Sequence, residues 1–144
     1  MSLKELDNLV GLGTLKKEAA DQGEFDGLLA LARARLIDAE NKTLSAESRF
    51  DLAYGAAHAL SLAAMRWNGY RPHNARYAVF LSLQHTLGLG PEVYRPLDKA
   101  HNLRNLADYA GSFRADAQLQ TDLINATKIV QVAVETLGPV EQRK

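Results

Sequence analysis

Apolar residues spaced about 3.6 positions apart recur along nearly the whole chain, and no stretch shows sustained two-residue alternation rich in β-branched side chains. That period points to helices throughout. It is clearest near the C-terminus, where Leu119, Leu123, Ala126, Val130, Ala133 and Leu137 advance in alternating steps of four and three. Such a row forms a seam for packing along another helix, over about 115–137, and Gly138-Pro139 stops it. The seam fits equally inside one chain or between two copies.

The preceding segments repeat the pattern. A short first helix is expected from Leu3 to Val10, broken by Gly11-Leu12-Gly13. That Gly-x-Gly is read as a turn, because no strand precedes it and the third glycine of a phosphate loop is missing. A second helix is expected from Glu24 to Glu40, with Phe25, Leu28, Leu29, Ala32, Leu36 and Ala39 on one stripe. A third follows Ser45, a good N-cap residue, and runs to Trp67. Its apolar residues occupy more than one face, so it should sit centrally, and its alanines and Gly55 suit close helix approach. Asn68-Gly69 ends it, since both residues tolerate the left-handed conformation common at helix C-termini. A fourth helix is expected over Asn74–Leu87, and a fifth begins at Pro91 and fades near Gly111. An all-α, up-and-down bundle of five to six helices is the economical way to bury these stripes.

At 144 residues the chain suits a single domain. With 47% hydrophobic and 24% charged residues it has the composition of a globular protein with a real core. The absence of cysteine excludes disulfides, Cys-ligated zinc and a thiol nucleophile. Neither a signal-type apolar stretch nor a membrane-length run is found, so a cytoplasmic location is expected. Lys plus Arg equals Asp plus Glu at 17 each, so any contact with nucleic acid must come from a local patch. The histidines, His58, His73, His85 and His101, are far apart and show no ligand spacing. No metal or cofactor is expected.

Three segments in order resemble the HEPN family of prokaryotic helical-bundle proteins. The run Arg49-Phe50-Asp51-Leu52-Ala53-Tyr54-Gly55-Ala56-Ala57-His58-Ala59-Leu60 looks like that family's long helix. Asn68-Gly69-Tyr70-Arg71-Pro72-His73 resembles the turn after it. Leu103-Arg104-Asn105-Leu106-Ala107-Asp108-Tyr109 resembles the Arg-polar-x-Ala-Asp-Tyr segment of one HEPN branch. The resemblance covers about 47–111. It implies a homodimer with polar sites at the shared interface, and in many members a metal-independent endoribonuclease built on an Arg, a polar residue and a His four to six positions beyond the Arg.

This chain departs from that signature. Arg104-Asn105 matches the first half, but Tyr109 stands where the His could be. Imidazole, with a pKa of about 6.5, exchanges protons near neutrality, whereas phenol, at about 10, does so poorly. Two other Arg-to-His spacings, Arg95 to His101 and Arg66 to His73, are discounted because the first precedes a proline and the second straddles a turn. On helical spacing His101, Arg104, Asn105 and Asp108 share a face, while Tyr109 lies about 140° around from Arg104. Arg104 and Asp108 also suit a simple i,i+4 ion pair.

A second cluster surrounds the turn: Arg66, Arg71, His73 and Arg76 with Trp67, Tyr70 and Tyr77. Arginines beside aromatics can hold phosphate and stack bases, so RNA or a nucleotide could bind there. Alternatively the aromatics pack the end of the bundle and the arginines are solvated.

The leading expectation is a non-catalytic, dimeric HEPN-type binding or partner module, acting with a nucleotidyltransferase, an antitoxin or a stress-response component. The alternative is an RNA-cleaving toxin using Arg104 and Asn105 with Tyr109 or His101. A third reading makes Tyr109 an acceptor of nucleotide transfer.

Overall fold

The computed structural model describes residues 3–73, 78–110 and 117–141, with side chains described for all of these except 107–110. The chain is mostly helical, in the order α1 (Lys4–Gly11), β1 (Leu15–Lys17), α2 (Gln22–Ala39), α3 (Ala46–Trp67), β2 (Tyr70–Pro72), α4 (Ala78–Leu81), α5 (Leu83–Thr86), α6 (Pro91–Ala110) and α7 (Ala117–Glu135). No helix among the described residues is long and apolar enough to cross a membrane.

Capping sets where the long helices begin. The Asp21 carboxylate accepts from the Glu24 backbone N–H at 2.8 Å, which starts α2 two residues before the apolar stripe alone suggests. The Ser45 hydroxyl accepts from the Ser48 N–H at 3.1 Å and starts α3 where expected. At the far end of α3 the chain reverses through Gly69, whose φ of +89° is open to glycine and costly for most other residues.

α3 is the central element. Phe50, Ala53, Ala56, Ala57, Leu60, Ala63 and Ala64 are all fully buried, and α2, α6 and α7 surround it. The small alanine side chains let these neighbours close on it from several directions. Gly55 has a different use: the Arg35 side chain lies across it, so that a Cβ there would sit 3.1 Å from Nη1. α2 returns antiparallel to α3, with Glu24 at its start beside Arg66 and the Ala39 carbonyl at its end bonded to Arg49. α6 also opposes α3, since His101 meets Tyr54 and Arg104 meets Asp51. α7 runs with α3, and the Trp67 indole N–H donates to the Gly138 carbonyl just past its end. The long helices therefore alternate in direction.

The C-terminal seam is consumed within the chain. Leu123, Ala126 and Val130 of that row are buried against α3 and α6, Leu119 and Leu137 pack partly buried on the same core, and Val134, outside the row, is buried beside them while Ala133 is half-buried.

Two features depart from the helical reading. The expected fourth helix is broken into α4 and α5 at Ser82. There the His85 N–H bonds to the Ser82 carbonyl three residues back, and the Leu81 carbonyl that a continuous ladder would have used accepts from the Gln84 side chain at 3.2 Å. Its first residues, Asn74 to Tyr77, lie outside the described residues. The second feature is a small antiparallel ribbon, β1 with β2, in the register Leu15↔Pro72, Lys16↔Arg71 and Lys17↔Tyr70. Strands of three residues are too short to show alternation, and the pairing joins segments over fifty positions apart. A second apolar cluster lies under this ribbon, made of Leu6, Leu15, Met65, Tyr70, Ala78 and Val79, distinct from the main core.

Candidate functional site

The residues singled out from sequence fall in two places, at opposite ends of α3.

At its C-terminal end Arg66 is only 2% exposed, and its guanidinium is surrounded. Nε donates to the Glu24 carboxylate, Nη1 to the Glu18 and Tyr70 carbonyls at 2.8 and 3.3 Å, and Nη2 to the Ala19 carbonyl at 2.6 Å. The Glu18 carboxylate lies 3.5 Å from Nη2 as well. A guanidinium has five N–H donors in a rigid fork, and here the protein meets each of its three nitrogens. Arg71 completes the cluster, donating from Nε to Glu18 at 2.8 Å and from Nη2 to Glu24 at 2.6 Å. Two arginines and two glutamates thus neutralise one another between α2, α3 and the ribbon.

The consequence for phosphate binding is direct. Arg66 offers nothing outward, and Arg71 is held by two carboxylates. Neither is the solvated cation of the alternative sequence reading. His73 is exposed and its backbone N–H is bonded to the Thr14 carbonyl, while Arg76 and Tyr77 lie outside the described residues. Trp67 and Tyr70 pack the end of the bundle.

The electrostatics follow from the contacts. The hydrogen bond from Arg71 holds the Glu18 carboxyl below its ordinary range, against opposing burial. For Glu24 burial pushes upward, but the hydrogen bonds from Arg71 and Arg66 outweigh it and the net shift is down. Hydrogen bonds from Glu18 and Glu24 in turn push Arg71 up. Nearby, the Tyr70 hydroxyl donates to Asp7 and lowers its carboxyl, with Lys17 Nζ 3.3 Å away adding to the effect. Asp7, Lys17, Glu18, Trp67 and Tyr70 line an open cleft of about 620 Å³.

At the other end, α6 faces the start of α3. The Nδ1 of His101 is 3.0 Å from the Tyr54 hydroxyl, and its Nε2 is 3.2 Å from the Asn105 amide nitrogen. The Tyr54 hydroxyl and the Asn105 amide can each donate or accept, so the ring is bonded at both nitrogens in either tautomer. The ring also lies among Tyr54 and Phe80, with centroids 6.3 and 6.4 Å away, and His58 lies 6.0 Å from Phe80. His101 and Asn105 thus meet, as their shared helix face suggests. Arg104 turns toward Asp51 of α3, with Nε 3.5 Å from Oδ1. The side chains of Asp108 and Tyr109 lie outside the described residues, and so does any pairing of Asp108 with Arg104.

Tyr54, Glu18, Glu24 and Asp7 were missed as partners in sequence. Glu24 carried the only local signal, three residues after an N-capping aspartate. Tyr54 and His101 stand forty-seven positions apart, with nothing local to connect them. Among the described residues no group of three or more His, Asp or Glu side chains is placed to hold a metal ion.

Comparison of the chain with protein-family models, curated proteins and solved structures yields no match.

Removing one partner of a buried, fully bonded ion pair strands the other, so Arg66→Ala should cost about 3–5 kcal/mol of unfolding free energy by urea titration. Arg66→Lys should recover only part of it, because an ammonium cannot reach all these acceptors. The lowered carboxyls set the pH dependence. A carboxyl whose folded pKa lies below its unfolded value stabilises the fold above about pH 4 and ceases to do so as pH falls through the folded value. Stability should therefore decline on acidification below about pH 4, and Glu24→Gln should flatten that decline.

Proposed function

We propose that this chain is a HEPN-like, dimeric binding or partner module without catalytic activity, acting in the cytoplasm with a toxin–antitoxin, stress-response or nucleotidyltransferase component. The ordered resemblance from Arg49 to Tyr109 and a mostly helical bundle with that long segment at its centre support the family reading.

The observation that carries the non-catalytic reading is the state of His101. A general acid or base needs a nitrogen within hydrogen-bond reach of the reacting group. Both nitrogens of this imidazole are already bonded inside the chain, one to Tyr54 and one to Asn105. Asn105, the polar half of the Arg-polar pair, is thereby spent on the ring. Arg104 sits against Asp51, whose charge opposes the approach of a phosphate. At the other end of α3, Arg66 and Arg71 are neutralised by Glu18 and Glu24, which favours a protein partner over RNA or a nucleotide. Leu123, Ala126 and Val130 of the α7 seam are buried within the chain, which supports a dimer through another face.

Purified protein incubated with structured and single-stranded RNA in EDTA should leave both intact, and light scattering should return twice the chain mass. Cleavage that disappears in Arg104→Ala would overturn the non-catalytic reading, and a monomer at high micromolar concentration would remove the dimer.

A further inference from the structure

We infer that residues 3–17 form a hinged flap that swings from the bundle as one body, opening the cleft beneath it while the main core stays folded. The inference does not depend on the HEPN-like reading.

The flap is bonded to itself. α1 turns back into β1 through bonds from the Leu12, Gly13 and Thr14 N–H groups to the Asn8, Val10 and Leu9 carbonyls, and the Asp7–Lys17 ion pair ties the helix to the strand. It contributes nothing to the main core, whose buried members begin at Phe25. Its buried side chains, Leu6 and Leu15, belong to the second cluster, and the other half of that cluster, Met65, Tyr70, Ala78 and Val79, remains with the bundle. Cooperative units that open separately have this form: many internal contacts and a small, separate apolar seam.

The hinge is equally well defined. Glu18 to Ala20 are without regular structure, and the Glu18 and Ala19 carbonyls are pinned by Arg66. The chain is thus clamped just after β1, and motion is confined to what precedes the clamp. Among the described residues the flap is held shut by Leu6 and Leu15 with the partly buried Leu3, Leu9 and Val10, by the short ladder with β2, by the His73 N–H to the Thr14 carbonyl at 2.9 Å, and by the Tyr70 hydroxyl on Asp7. Leu3, Asp7 and Lys17 form one wall of the 620 Å³ cleft, and Trp67, Asn68 and Tyr70 form the other. Swinging the flap separates these walls.

Hydrogen exchange followed by mass spectrometry on the full chain tests this. In the wild type the ladder amides of Lys16, Arg71 and His73 should exchange together, at least about tenfold faster than those of α3 over 53–64. Exchange of both sets at one common rate would overturn the flap, because it would mean that the segment leaves only on global unfolding. Tyr70→Phe keeps the ring and removes one hydrogen bond to a charged group, so it should speed the flap amides about tenfold with α3 and α7 changed less than twofold. Asp7→Asn, at an exposed position, should act in the same direction. Equal acceleration of all amides, or no acceleration of the flap amides in either variant, would contradict the inference.

Discussion

The buried guanidinium of Arg66 is the constraint on which the arrangement of this chain depends. A cation taken out of water must be met by hydrogen-bonding acceptors, or its desolvation destabilises the fold by several kcal/mol. Those acceptors come from the Glu18 and Ala19 carbonyls, the Tyr70 carbonyl after the turn, and the carboxylates of Glu18 and Glu24. Meeting one charge therefore fixes how α2 begins, where the segment before it runs and how β2 leaves α3. Arg71 balances the second glutamate, so the cluster closes with no net charge.

The rest of α3 works by the opposite means. Its alanines carry little apolar surface each, but they let helices approach from several sides and bring distant side chains into register. Tyr54 and His101 meet because α6 lies close against that surface, and Phe80 fills the space beside both rings. A His held by a tyrosine on one nitrogen and an asparagine on the other is oriented by packing. The same packing that orders the ring ties both of its nitrogens to residues of this chain, and this links the fold to the proposed partner role.

Much of the helical framework was legible because it rests on local rules. The stripe from Phe25 to Ala39, the Ser45 cap, the Gly69 reversal and the Pro91 start each follow from neighbouring residues. What was hidden depends on residues far apart. The pairing of Leu15–Lys17 with Tyr70–Pro72 leaves no periodic trace, and neither does the break at Ser82, where the His85 N–H bonds three residues back. The arginines around the turn were read as available or solvated because their partners, Glu18 and Glu24, precede them by some fifty positions. Sequence placed His101 and Asn105 on one face correctly, but it could not tell that Tyr54 would take the remaining nitrogen.

The most direct test of the central claim is the protonation pattern of that ring, read by two-bond nitrogen–proton correlation spectroscopy on uniformly ¹⁵N-labelled protein, with Tyr54→Phe as the control. A His101 bonded at both nitrogens as described shows one dominant tautomer with slowed solvent exchange, and the pattern is lost in the variant. A ring exchanging freely between tautomers in the unsubstituted chain would mean that these bonds do not hold it, and would contradict the non-catalytic account.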